Sequence, residues 1–235
     1  MTETRSTTLH VVSVFLGENG VGGNPLGVLL DAAGLPDTTR QAIAADLGFS
    51  ETVFVEDLLT GSLRIHTPET ELPLAGHPLV GTSWLLNHQG LQVSTVRPPA
   101  GAVATWTDGD LTWIRANPAD APVFDTRQLT DPAGVEALDG GEPGTDLHVW
   151  AWEDEEAGRV RVRVFPTGLG VAEDEATGAA AMRLTALLER PLSIRQGAGS
   201  RIETRPGPEG TVDVGGRVRY DESRPYLISD VVPRS

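Results

Sequence analysis

Apolar and polar positions along the chain fall into two periodicities, and each half of the sequence runs through them in the same order. LHVVSVF at 9–15 and GVLLD at 27–31 have strand composition, split by the glycine-rich turn GENGVGGNP. A helix is predicted from Pro36 or Asp37, which suit a first turn, to about Asp46, with Gly48 as its stop. FSETVFVED follows as a strand entering the core, then a turn at Thr60 and Gly61 and a further strand in SLRIHTP. Over 77–90, HPLVGTSWLLNHQG places Leu79, Trp84, Leu85 and Leu86 for an apolar helix that Gly90 ends, with Trp84 read as core. Strands at about 93–97, 101–107 and 110–115 complete this half.

The second half opens with a weakly patterned stretch from Asn117 to Gly144, rich in Pro, Asp and Gly, in which DPAGVEAL fits one short helix. DLHVWAW and RVRVRVF are then strands, the second alternating so strictly that Val160, Val162 and Val164 must share one face. On the opposite face Arg159, Arg161 and Arg163 read as a solvated stripe. A helix after Thr177 carries Met182, Leu184, Leu187 and Leu188, and Pro191 ends it. Short strands fill 192–220.

Laid side by side, the halves share strands, a small-residue turn, one strongly apolar helix and more strands. Placing Gly76-His77-Pro78 over Thr177-Gly178-Ala179 also sets Leu86 over Leu187. A helix wrapped by sheet must be apolar around most of its circumference. The predicted fold class is therefore α+β: two pseudo-symmetric lobes, residues 1–115 and 116–235, each an antiparallel sheet or barrel around a central helix. The second lobe is abbreviated, and the last strand is free to return to the first. If both helices begin at the lobe boundary, their unpaired N–H groups and positive dipole ends converge on one cleft suited to a small carboxylate.

Composition narrows the chemistry. The formal charge of −15 disfavours nucleic acid and anionic membrane surfaces as partners. All 18 basic residues are Arg, which carries no chemistry by itself. Cysteine is absent, removing disulfides, thiolate metal sites and any thiol base. The N-terminal apolar stretch, broken by His10 and Ser13, is too weak for a signal peptide, and no 18-residue apolar run occurs. A cytoplasmic protein is expected. The five His residues form no metal-binding spacing, and GENGVGGNP lacks the Lys and following helix of a phosphate loop, so neither metal nor cofactor is predicted.

GGNPLGVLLDAAGLP, GFSETVFV, LRIHTPETELPLAGHPLVGT and EDEATGAAA, in this order and spacing, resemble the phenazine-biosynthesis-type isomerase family. That family is similar in fold to diaminopimelate epimerase and proline racemase. The resemblance runs from about residue 9 to 115 and resumes at about 146. It implies the two-lobed fold, a homodimer, and a cofactor-free isomerase in which one glutamate takes a proton from carbon and returns it elsewhere on the same face of a conjugated system. The two-thiol racemisation of related enzymes is excluded by the missing cysteines.

The family's glutamate matches Glu51, its histidine His77 and its aspartate Asp174; Gly76, Thr177, Gly178 and Ala179 match its carboxylate-holding turns. From its own surroundings Glu51, between Phe49 and Phe54, is either an ordinary strand-start residue capped by Ser50 or Thr52, or a buried acid with a raised pKa. At a helix start, His77 is either a capping residue or a neutral imidazole able to donate one hydrogen bond and accept another. Acids before a helix commonly complement its dipole, so Asp174, flanked by Glu173 and Glu175, is selected by the motif alone. The motif gives it the role of holding a substrate amine or hydroxyl.

Two positions depart from the family: Glu175 replaces a Pro, and Ala179 replaces a Ser whose hydroxyl helps hold the carboxylate. The chain is also short between about 117 and 145, where the second lobe repeats the elements that carry Glu51 in the first. The resemblance thus implies an isomerase of a small cyclic or conjugated amino or hydroxy carboxylate in secondary metabolism. A narrower version acts on an unsaturated pyrroline carboxylate in alkyl-proline antibiotic biosynthesis. A non-catalytic carboxylate-binding protein of the same fold is the alternative that Ala179 and the short second lobe raise.

Overall fold

The computed structural model describes residues 5–228. In chain order the elements are β1 (Arg5–Leu16), β2 (Asn24–Leu29), α1 (Asp37–Leu47), β3 (Thr52–Asp57), β4 (Ser62–His66), β5 (Glu71–Leu72) and α2 (Gly76–His88). They continue through β6 (Thr95–Val96), β7 (Val103–Asp108), β8 (Leu111–Ala116), β9 (Asp125–Gln128), α3 (Pro132–Glu136), β10 (Asp146–Asp154) and β11 (Arg159–Pro166). The last are α4 (Gly178–Leu188), β12 (Leu192–Gln196), β13 (Ser200–Pro206) and β14 (Val212–Ile228). Few helices and a mostly antiparallel sheet make the fold α+β, as the sequence pattern predicts.

The first lobe is a sheet closed on itself around α2. Antiparallel β1 pairs β2, β2 runs parallel to β3, and β3–β4–β5 is an antiparallel meander. From the other side of β1 the sheet continues through β14, β8, β7 and β6. Closure comes where Arg97 N–H donates to Gly61 O at 2.7 Å and Leu63 N–H donates to Arg97 O at 3.1 Å. Inside this ring Leu79, Val80, Leu85 and Leu86 of α2 are fully buried, because the helix meets sheet on nearly every side.

Strand β14 is seventeen residues long rather than one of a set of short strands. Its first residues, Val212 to Gly215, lie between β8 and β13, and its remainder pairs with β1, so one strand joins the two sheets. The second lobe continues from β13 through β12, β11, β10 and β9. Here β9 and β10 are parallel and joined through α3, repeating the parallel β2–α1–β3 unit of the first lobe. α3 has five residues against eleven in α1, which is the abbreviation expected from the short 117–145 stretch.

Three sequence expectations change at this level. Leu187, read as part of an all-apolar helix, is 66 % exposed, and only Gly178 to Met182, Leu184 and Thr185 of α4 are buried. α4 packs against β13 and β14, and the side that carries Leu187 reaches solvent. Trp84 is half-buried at the core margin and stacks on His88, ring centroids 4.6 Å apart. The Arg stripe is not a solvated face, because α3 lies across it. Arg161 is 3 % exposed and forks onto Glu136 at 2.6 and 3.1 Å. Arg163 pairs with Glu173 and donates to the Leu138 carbonyl beyond the end of α3 at 2.6 Å. Arg159 alone of the three is exposed.

Candidate active site

The starts of α2 and α4 abut. A Cβ placed on Gly76 would sit 2.7 Å from the Gly178 Cα, and one on Gly178 would sit 2.8 Å from the Gly76 Cα. No side chain fits such an approach, so both positions require glycine. This contact also resets the internal repeat. Gly76 is the first residue of α2 and Gly178 the first of α4, with Ala75 and Thr177 as their caps. The true correspondence is thus Ala75-Gly76-His77 with Thr177-Gly178-Ala179, one position from the sequence overlay, and His77 corresponds to Ala179. The first-turn N–H groups of both helices, without intrahelical partners, meet at this junction.

Beside the junction lies a narrow cleft lined by Ser50, Glu51, Asp174, Thr177 and Ala179, with apolar walls that include Leu72, Phe124, Leu169 and Val171. Its cavity is about 20 Å³, room for about one water. Phe124 and Pro122 come from the second lobe's first segment and Leu72 and Ala75 from the first lobe, so both lobes build the walls.

Glu51 immediately precedes β3, rather than lying inside the strand, and its side chain is 14 % exposed. Among the described residues its Oε2 has no hydrogen-bond partner, and it stands 3.3 Å from His77 Nδ1. Burial, and then the charge of Asp174, push its pKa up to about 8, against a weaker opposing bond from Ser50. His77 is 2 % exposed, its Nε2 lacks a partner among the described residues, and burial lowers its pKa to about 3, so the ring is neutral.

Asp174 is 4 % exposed, and its backbone N–H is tied to Val164 O at 3.0 Å. Asn24 Nδ2 donates to Oδ1 and Thr177 Oγ1 donates to Oδ2, both at 2.6 Å. Burial raises its pKa to about 6, and these two bonds oppose the rise. Among the described residues no Arg lines this cleft, and no group of His, Asp and Glu is placed to hold a metal ion. The positive potential available to an anion therefore comes from the helix ends.

The structure brings Glu51, Asp174, Thr177 and Ala179 to one cleft, sets His77 beside Glu51, and places Gly76 and Gly178 at the helix junction. Two contributors escaped the sequence reading. Asn24 reaches from the first lobe to Asp174 and to the Ala176 carbonyl, and accepts from Ser50 Oγ at 3.2 Å. Gln196, at the end of β12, bonds Asp174 and Thr177. Asn24 stood inside the quoted GGNP motif, while nothing local marks Gln196. Glu175 accepts from Ala198 N–H at 2.9 Å and from Ser200 Oγ at 2.7 Å, and Ser200 Oγ in turn accepts from Gly23 N–H at 2.7 Å. The acid that replaces the family's Pro thus ties the turn before β2 to the β12–β13 hairpin.

Residues 12–139 match the model of the phenazine biosynthesis-like protein family. The trans-2,3-dihydro-3-hydroxyanthranilate isomerase of Pseudomonas fluorescens is 30% identical over 223 residues, a match covering 74% of this chain and 80% of that enzyme. An uncharacterized isomerase of Pasteurella multocida is 48% identical over 84 residues, covering 34% of this chain but only 29% of the relative's length. The crystal structure of the Bacillus anthracis phenazine biosynthesis protein of the PhzF family superposes with a TM-score of 0.77 at 20% identity, over 95% of this chain and 99% of that one. With the fold shared across both lobes and the family pattern spanning more than half of the sequence, the chain belongs to the phenazine biosynthesis-like family.

Proposed function

We propose that the protein is a cofactor-independent isomerase that moves a proton, and with it a double bond, on a small cyclic or conjugated amino or hydroxy carboxylate, using Glu51 as the acid/base group. The observation that supports this most directly is a carboxyl group buried beside a second carboxyl, with no cation among the described residues that line the cleft. Such a group exchanges a proton near neutral pH, where an exposed glutamate is fully ionised.

In this reading the N–H groups at the starts of α2 and α4 hold the substrate carboxylate. Asp174 accepts a hydrogen bond from the substrate's amine or hydroxyl, and neutral His77 steadies Glu51. In its ionised form Glu51 takes the proton from one carbon and returns it to another on the same face, while the conjugated acid delocalises the charge between the two steps. A cavity of about 20 Å³ admits no such substrate as it stands, so the lobes' facing walls must part for entry. Closing again expels water from the acid pair. Ala179 leaves the carboxylate one hydroxyl donor short of the family pattern, a difference of roughly 0.5–1.5 kcal/mol.

The test is deuterium incorporation from D₂O, followed by NMR, into a panel containing trans-2,3-dihydro-3-hydroxyanthranilate, other cyclic diene amino and hydroxy acids, and unsaturated pyrroline carboxylates. Exchange or double-bond migration that is lost in Glu51→Gln supports the reading and names the substrate class. Exchange that survives in Glu51→Gln overturns the role of Glu51. Saturable binding without exchange in the wild-type protein replaces the isomerase with a carboxylate-binding protein.

A further inference from the structure

Two side-chain amides next to Asp174 have partners that cannot exchange roles. Gln196 Oε1 accepts the Thr177 backbone N–H at 3.1 Å, and Gln196 Nε2 donates to the Asp174 carbonyl oxygen at 2.8 Å. A backbone N–H can only donate and a carbonyl can only accept, so this amide has one orientation rather than two. Its second Nε2 hydrogen then points to Thr177 Oγ1 at 2.9 Å. A hydroxyl has a single proton. With its oxygen receiving Gln196, Thr177 sends that proton to Asp174 Oδ2 at 2.6 Å.

The same logic fixes Asn24. Its Nδ2 donates to the Ala176 carbonyl at 3.1 Å, so the other hydrogen on that nitrogen meets Asp174 Oδ1 at 2.6 Å. Both carboxylate oxygens of Asp174 thus accept from a donor whose direction is set, and protonating either oxygen weakens the bond it accepts. Gln196 is 1 % exposed and Thr177 8 %, so water does not substitute freely for these bonds.

We propose that Gln196 is a positioning residue: by setting the direction of the Thr177 hydroxyl it keeps Asp174 an acceptor-only carboxylate, so that the proton held by the two buried acids of the cleft resides on Glu51. The proposal rests on the reading of Glu51 and Asp174 as the working pair. It divides their roles before substrate arrives, with Asp174 ready to accept a substrate donor and Glu51 holding the mobile proton. The direction of the two shifts agrees, since the Thr177 and Asn24 bonds restrain Asp174 while Glu51 Oε2 has no hydrogen-bond partner among the described residues. The other titratable groups near Asp174 are acidic or neutral. Glu175 lies next to it with its carboxylate turned to Ala198 and Ser200, Glu173 is paired with Arg163, and His77 is uncharged against Glu51. Among the described residues that line the cleft, no cation compensates for a lost Thr177 bond.

The test is a carboxyl-carbon NMR titration of protein labelled with ¹³C in Asp and Glu, without substrate, on wild type, Gln196→Met, Thr177→Val and the double variant, each checked for cooperative thermal unfolding. Gln196→Met is expected to raise the Asp174 midpoint by about one pH unit, tenfold in its proton affinity, the worth of one hydrogen bond to a charged group. Thr177→Val should give the same shift, and the double variant no more than either alone. In the wild-type protein, which needs no variant to fold, the Gln196 side-chain amide protons should move with the Asp174 midpoint. An unmoved Asp174 midpoint in folded Gln196→Met, additive shifts in the double variant, or wild-type Gln196 signals indifferent to Asp174 would each overturn the proposal. Because no substrate is present, those results leave the isomerase reading intact. That reading fails separately, through saturable binding without exchange in the wild-type protein, while exchange that survives Glu51→Gln overturns only the role of Glu51.

Discussion

Replacing Glu51 by Gln should stabilise the protein while removing its proposed activity, and the gain should grow with pH. The folded-state pKa of Glu51 is raised to about 8 from an ordinary 4.5. Between those values the folded chain carries a proton that the unfolded chain has released, so wild-type stability falls as pH rises, by about 1.36 kcal/mol per unit for one group. At pH 7 the full difference, 2.5 units, corresponds to about 3.4 kcal/mol. The side chain keeps 14 % exposure, and water there relieves part of the cost, leaving roughly 1.5–3 kcal/mol.

Gln reproduces the shape of the protonated acid and cannot ionise. Any offset from its amide N–H is independent of pH. For a chain of this size, 1 kcal/mol moves Tm by roughly 2–4 °C, so Glu51→Gln should melt roughly 3–12 °C higher at pH 7. At pH 5 the difference should shrink about fourfold, because half a unit separates that pH from the unfolded pKa. Differential scanning calorimetry at pH 5, 6, 7 and 8 measures the series. A Tm difference that stays constant from pH 5 to 8, or a variant that loses ground to wild type as pH rises, would refute the claim that Glu51 is held protonated by the fold.

Further outcomes follow from the same geometry. If Glu51 acts first as a base, log kcat/KM should rise with a slope of one from pH 6 and level off near pH 8; a flat profile across that range removes Glu51 as the group taking the proton. Gly76→Ala puts a methyl carbon 2.7 Å from the Gly178 Cα, where only backbone can yield. It should cost roughly 1–3 kcal/mol and push the helix ends apart, so a denaturation midpoint unchanged from wild type would contradict the close contact. His148 is fully buried with its pKa lowered to about 4, so its share of stability is complete above pH 6.5 and is lost as pH falls toward 4. His148→Asn should flatten the acid limb of a stability–pH curve by about 1.36 kcal/mol per unit, whatever it costs near neutrality; an acid limb of unchanged slope would show that His148 is not the titrating group.

Local pattern along the chain was enough for the fold class and for the chemistry that is ruled out. Strict alternation in Arg159–Phe165, the apolar run of α2 and the small-residue turns at Ala75–Gly76 and Thr177–Gly178 declare strands, a buried helix and close approaches, because periodicity and steric freedom are local properties. The absence of cysteine needed no structure at all, and phenylalanines on both sides of Glu51 already pointed to burial. What covers each face was decided only by tertiary pairing. α3 crosses the arginine stripe and turns Arg161 into a buried ion-paired residue, while the open side of α4 leaves Leu187 in solvent. The glycine contact that sets the repeat at Gly76 against Gly178 lies between segments a hundred positions apart, and residue identity alone left its register one step out. Asn24 and Gln196 are ordinary polar side chains in their own segments. They gain a role because β2 and β12 deliver them to the same buried carboxylate, where each must satisfy donors and acceptors that water cannot reach.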